Sequence, residues 1–191
     1  MGWWSSSYWW VPAPLKSFCY LLDFQWSGSS CEYRSIDDFP GEFSLTDSTQ
    51  QRHPLQRYEP SHAEKTLGVY ISMDGNEAAQ IQYLSQKCIT FGTMVKAASC
   101  TKNQALYTFS ACLPPALAYV YPVTTLTESQ WNHIMAPALI PTLHKAGVSK
   151  HISQTSLYSP SLYQGFNISH PFFSQQITHF ITLMHEAYSK S

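Results

Sequence analysis

One break in hydrophobic period divides this chain. From residue 81 onward Ile81, Leu84, Cys88, Phe91, Val95 and Ala98 recur at spacings of 3, 4, 3, 4 and 3, which places all six on one face of an α-helix. Before residue 74 no such period exists. The aromatic run 18–26, stopped by Ser27-Gly28-Ser29, reads as a strand, and Cys31-Glu32-Tyr33-Arg34 fits as its hairpin partner. Phe39-Pro40-Gly41 turns the chain, residues 42–45 alternate as an edge strand does, and residues 67–72 form a further strand ended by Asp74-Gly75. A single change of period from strand to helix predicts an α+β fold, with a small antiparallel sheet followed by a helical bundle.

The later helices are announced by their ends. Thr101-Lys102-Asn103-Gln104 and Thr127-Glu128-Ser129-Gln130 both have the form of a capping box. The first opens a helix with Ala105, Leu106, Phe109, Cys112 and Leu113 on its apolar side, expected to break at Pro114-Pro115. The second opens a helix through Trp131, Ile134, Met135 and Ala138, kinked or split at Pro137 and Pro141 and stopped by Gly147. A last helix over 171–188 is expected to turn Phe173, Ile177, Phe180, Ile181 and Met184 inward.

Composition excludes several classes. A hydrophobic content of 44% can build a core and a charged content of 12% is low, so disorder is not expected. The net charge of −1 predicts no strong hold on nucleic acid or an anionic membrane. That charge is uneven, however. Residues 1–74 carry five basic and nine acidic side chains, while residues 75–191 carry six basic and three acidic ones and six of the eight His. Five cysteines without a close pair argue against a disulfide framework or structural zinc and for reduced thiols serving as small core residues. The start lacks a basic segment followed by an apolar one, so an intracellular location, cytoplasm or nucleus, is expected. The uncharged stretch 103–127 is long enough to span a bilayer, but its three prolines favour a buried, kinked helix. Gly-x-Ser-x-Gly, Gly-x-Gly-x-x-Gly and Gly-Lys-Ser/Thr signatures are absent.

Five segments in one order carry a resemblance. Pro14-Leu15-Lys16-Ser17-Phe18 and a strand are followed by Leu67-Gly68-Val69-Tyr70, and Asp74-Gly75-Asn76 then opens a long helix. Ala105-Leu106-Tyr107 with Leu113-Pro114-Pro115-Ala116-Leu117-Ala118-Tyr119 comes next, and then Leu126-Thr127-Glu128-Ser129-Gln130 with Leu143-His144-Lys145-Ala146-Gly147. Over roughly residues 12–166 the chain resembles the end of a reverse transcriptase (RNA-directed DNA polymerase) of the retrotransposon type. The resemblance implies a partial palm-like β segment over 12–74 and a helical, thumb-like domain over 75–191, with the Trp-rich residues 1–11 unassigned.

Family enzymes synthesise DNA with two metal ions held by carboxylates on an early palm strand and an aromatic-x-Asp-Asp hairpin. Both precede the Lys segment, so the resemblance places them upstream of Met1. It therefore implies a fragment with no catalytic residue, no metal site and no cofactor, inactive alone; magnesium is implied only for the full-length enzyme. Asp37-Asp38 follows Lys16 and leads into a turn, so it reads as a solvated pair. The family is also glycine-rich near residues 158–166, where only Gly165 remains. Side chains there cost strain wherever φ must be positive, implying drift or a different turn.

The implied partner is an RNA/DNA template–primer duplex, with no membrane; the oligomeric state is not legible. Lys16 resembles the Lys beside the incoming triphosphate, or is a solvated surface lysine. Leu67, Gly68 and Val69 resemble the primer grip, or are plain strand. Lys102, Lys145 and Lys150, with Lys87 and Lys96, can contact phosphates, or are solvated faces. His144, Lys145, Lys150 and His151 form the densest cationic group. The competing reading is a small non-catalytic helical protein-binding module.

Overall fold

The computed structural model of this chain describes residues 17–38, 41–46 and 50–189. The Trp-rich segment 1–11, Lys16 and the Phe39-Pro40 part of the expected turn lie outside the described residues. Within them eight short strands precede five α-helices, an α+β architecture. The chain separates into two compact units, one drawn from the chain up to Thr66 plus Ile71–Asn76, the other from Leu67–Tyr70 plus the chain from Glu77 on.

In the first unit β1 (Phe18–Tyr20), β2 (Phe24–Ser27), β3 (Ser30–Tyr33), β4 (Ser44–Thr46), β5 (Arg52–Pro54) and β6 (Gln56–Tyr58) make separate two-stranded ladders. Two are antiparallel, β2 with β3 and β4 with β5, whereas β1 runs parallel to β6 with Phe18 opposite Gln56. This corrects the expected single antiparallel sheet and the unbroken strand over 18–26, which divides between Tyr20 and Phe24. The cause is short length and exposure. Each strand has three or four residues, and β2 and β3 are exposed throughout, so no further strand covers either face of their ladder. The β2–β3 hairpin does form: Gly28 takes φ +64° in its turn, and Phe24 faces Tyr33 with ring centroids 5.1 Å apart. The Glu59 carboxylate accepts from the Ile36 N–H (2.8 Å) and the Ser35 hydroxyl (3.2 Å), which anchors the 3-10 turn Ile36–Asp38. Asp37 and Asp38 are exposed on that turn.

β7 (Glu64–Thr66) and β8 (Val69–Ile71) flank Leu67-Gly68. These two residues were expected to begin a strand. They form a turn instead, with φ +50° at Leu67 and +90° at Gly68. A bulky residue rarely takes positive φ, which is why strand propensity misplaced Leu67.

The second unit is built from α1 (Ala78–Ala97), α2 (Lys102–Ala118), α3 (Glu128–Ala146), the short α4 (Gln154–Tyr158) and α5 (Pro171–Ser189). Leu84 and Cys88 from α1, Phe109, Leu113 and Leu117 from α2, and Trp131, Ile134 and Ala138 from α3 share one core. Ile81 and Phe91 are half-buried at its margin, and Ala98 is exposed past the end of α1. Both capping boxes form: the Thr101 and Thr127 hydroxyls accept from the Gln104 and Gln130 N–H groups, whose amide oxygens accept in return from the two Thr N–H groups. Gly147 ends α3 at φ +73°, donating to the His144 carbonyl while Val148 donates to that of Leu143, the bond pair of a Schellman motif.

Three expectations are corrected in this unit. α2 does not break at Pro114-Pro115 and α3 is not split at Pro137 or Pro141. The carbonyls that Pro114 and Pro115 leave without an N–H belong to Ser110 and Ala111, both exposed, so water can satisfy them. The Pro137 carbonyl, freed by Pro141, faces Gly92 of α1, where a Cβ would collide with it. The Gly92 Cα hydrogen points at that oxygen instead. Third, α5 forms but its expected inward face is turned out: Phe173, Ile177, Phe180, Ile181 and Met184 are exposed. The polar side of α5 is bonded into the bundle. The Gln175 amide oxygen accepts from Trp131 Nε1 (2.9 Å) and its amide nitrogen donates to the Leu126 carbonyl (3.1 Å). His179 Nε2 lies 2.7 Å from the Tyr121 carbonyl oxygen, one turn further on.

Of the cysteines, only Cys88 is a core residue, and burial pushes its thiol up to about 12, so it stays protonated. Cys31 and Cys112 are exposed, against the expectation of buried thiols. Among the described residues no helix is long and apolar enough to cross a membrane.

Candidate nucleic-acid interface

Of the described lysines in the second unit, Lys96, Lys102 and Lys145 gather where three helix ends meet, while Lys87 stands in the middle of α1. α1 closes at Ala98, α2 opens at Lys102 and α3 closes at Gly147. Lys145 donates from Nζ to the Ala98 carbonyl (2.9 Å), so its ammonium caps the C-terminus of α1 while sitting in the last turn of α3. Lys102 lies across Gly147, its Nζ and Cε 3.1 and 3.2 Å from where a Cβ on that glycine would stand. The absence of a side chain at Gly147 thus serves two ends at once: it permits the left-handed cap and leaves room for Lys102. Lys96 occupies the last turn of α1, and His144 the last turn of α3, where it is exposed. Lys150 and His151 follow within one loop and are also exposed.

Acidic residues stand at the other end. Glu77 precedes α1 and accepts from the Thr125 N–H (2.6 Å) and hydroxyl (3.2 Å), and Glu128 lies in the first turn of α3. Since both α1 and α3 place acid near the N-terminus and base near the C-terminus, each complements its own dipole. The helical unit therefore carries opposite charge at its two ends, and the cationic end offers Lys102, Lys150 and two His to an anionic ligand.

The remaining candidates are elsewhere. Gly68 lies near the C-terminal end of α2, where a Cβ would stand 3.5 Å from Tyr119 Cε1, and the Tyr70 N–H donates to Gln80 Oε1 in the first turn of α1. Leu67, Gly68 and Val69 thus sit beside the start of α1, and α1 is 20 residues long, so roughly 30 Å separates them from the cationic end. Val69 is buried at 5% exposure and Leu67 is exposed at 85%. The structure brings together Lys102, His144 and Lys145, continues them into Lys150 and His151, and leaves Leu67–Gly68–Val69 apart.

One feature escaped sequence reasoning. Tyr83, Lys87, Phe91 and Met94 of α1 and Cys112 and Leu117 of α2 line an apolar groove of about 390 Å³. The Lys87 ammonium sits 4.7 Å above the Tyr83 ring at its edge, in cation–π geometry. The spacing of Tyr83, Lys87 and Met94 on the flank of α1 was visible, but nothing in the sequence says which flank α2 leaves open.

Among the described residues no group of three His, Cys, Asp or Glu side chains can hold a metal ion. Compared with known proteins, the chain matches no family model, no curated protein and no solved structure.

Proposed function

We propose that this chain is a non-catalytic piece of a retroelement-type reverse transcriptase, a palm-derived β segment with a thumb-like helical unit, that binds a template–primer duplex through the cationic end of its helices. The observation that carries the binding reading is the meeting of Lys102 with His144 and Lys145, residues more than 40 positions apart in sequence, at one end of a unit whose other end is acidic. The descent rests on the ordered resemblance, and one backbone feature supports it. Gln164 and Asn167 hold φ of +62° and +52°, left-handed values that favour glycine, within or beside the segment where the resembled family is glycine-rich. A glycine would adopt these backbone angles without strain, as the glycine-rich segment of the resembled family would. In this reading the contribution of the chain is to grip a phosphate backbone.

The test is fluorescence anisotropy of a labelled RNA–DNA hybrid against the full chain at low salt. Contacts from about three cations give micromolar or weaker binding and a log–log salt slope of roughly −2 to −3. Lys102→Glu with Lys150→Glu abolishes it, and Lys87→Glu, on the other flank, leaves it in place. Absence of binding at low salt, or binding indifferent to the first pair, refutes the proposal. A second reading, a helical protein-binding module, is favoured by the apolar groove between α1 and α2; a protein ligand there is blocked by Met94→Asp and unaffected by the lysine changes.

A further inference from the structure

Helix α5 carries a seam that its own bundle does not use. Phe173, Ile177, Phe180, Met184 and Ala187 recur at spacings of 4, 3, 4 and 3, the a/d stripe of a two-helix coil. Ile181, Leu183 and Tyr188 widen the stripe. Pro171 and Gln175 are the buried residues of α5, and every residue from Phe180 to Ser189 is exposed. Ten residues of helix without a covering surface are too short to persist in water on propensity alone. The helical state of this half therefore calls for a cover.

We propose that the cover is α5 of a second copy of this chain, packed seam to seam about a two-fold axis. Charge favours this occupant. Between Pro171 and Ser189 the only Asp, Glu, Lys or Arg is Glu186, which lies off the stripe, and the flanking positions Ser174, Gln176, Ile181 and Leu183 are uncharged. Two such faces meet without like-charge repulsion. A phosphate backbone or anionic lipid surface finds no Lys or Arg along the helix, whereas helices that lie on membranes are rich in them. Area favours it as well. Seven large side chains of the helix are 37–73% exposed, offering roughly 800 Å² per copy at about 200 Å² for a full side chain, the share that a standard interface asks of each partner. A two-fold pairing uses the same patch twice, so each copy satisfies the other and assembly stops at two.

Sedimentation velocity of the full chain, from about 1 to about 100 µM, spans the range in which an interface of micromolar strength fills. The expected result is a concentration-dependent shift from the 21.7 kDa monomer to a dimer. Ile177→Asp with Phe180→Asp holds the chain monomeric throughout. Phe180→Ala, a milder change at the centre of the seam, weakens the dimer about tenfold or more, and it keeps the test valid should the double variant fail to fold. Leu162→Asp, at an exposed position off α5, leaves the dimer intact. A monomer at every concentration overturns the proposal, as does a dimer indifferent to the Ile177 and Phe180 changes. A monomer that floats with uncharged phosphatidylcholine vesicles through α5 also overturns it, assigning the seam to lipid.

Discussion

Gly92→Ala separates local propensity from tertiary packing by the sign of its effect. Inside an exposed helix the change stabilises by about 1 kcal/mol, because alanine loses less backbone entropy. Gly92, however, is buried, and its missing side chain lets the backbone of α3 approach. A Cβ there meets the Pro137 carbonyl oxygen head-on, lies 3.1 Å from the carbonyl carbon and touches the Pro141 ring at 3.4 Å. Relief to an ordinary contact requires α1 and α3 to separate by roughly 1 Å. That opens the seam holding Leu84, Cys88, Ile134 and Ala138, all of them fully buried. Overpacking of this kind costs about 3 kcal/mol at the upper end of the usual range. Set against the propensity gain, the net loss is about 2 kcal/mol. For a unit of this size the melting temperature then falls by roughly 6–12 °C. Urea unfolding followed by far-ultraviolet circular dichroism should show a lower midpoint at unchanged slope. Thr93→Ala, one position on and exposed, should shift stability by no more than about 0.5 kcal/mol. A Gly92→Ala chain as stable as the parent or more so would refute the close approach of the two helices.

Three further outcomes are expected. Gln164→Gly relieves a left-handed residue on an exposed turn and should raise stability by about 0.5–1 kcal/mol, read as a small rise in melting temperature; a fall would mean that the turn does not need positive φ. Burial holds the His170 imidazole below its ordinary range, with Glu128 opposing, and its Nδ1 accepts from the Phe172 N–H while Nε2 faces Asn132 Oδ1. Since protonation disrupts that acceptor and the unfolded chain binds the proton more readily, stability should fall as pH drops below about 6.5, and His170→Gln should flatten this part of the urea-midpoint profile. Gln175→Leu leaves the Trp131 indole N–H and the Leu126 carbonyl without partners, which costs roughly 2–4 kcal/mol and should release α5 to limited proteolysis well before the rest of the bundle unfolds.

Much of the helical unit was legible because its signals are local. The capping threonines at 101 and 127 and the glycine at 147 act within one helical turn, so sequence alone sets where α2 and α3 begin and where α3 ends. The repeat from Ile81 to Val95 likewise fixes which side of α1 can face a core, though not which helix will cover it. Prolines misled because their cost depends on what surrounds the freed carbonyl. At 114 and 115 that surrounding is solvent, and at 141 it is the bare backbone at Gly92. Strands of three or four residues fell below what pattern can register, and the parallel pairing of β1 with β6 joins segments whose register no local signal encodes.

The candidate site divides along the same line. The sequence alone determined that cations crowd residues 144–151 and that Lys102 begins a helix. Only the tertiary structure decided that Lys102 and Lys145 reach the same helix end while Leu67–Gly68–Val69 stands at the far end of α1. The orientation of α5 was decided there too. Its moment points toward the apolar stripe, yet Gln175 and His179 find the Trp131 indole and the Tyr121 and Leu126 carbonyls, and those buried bonds hold the polar side inward. A polar group already taken out of water costs more to leave unpaired than an apolar stripe costs to leave exposed at a surface that a second copy can cover.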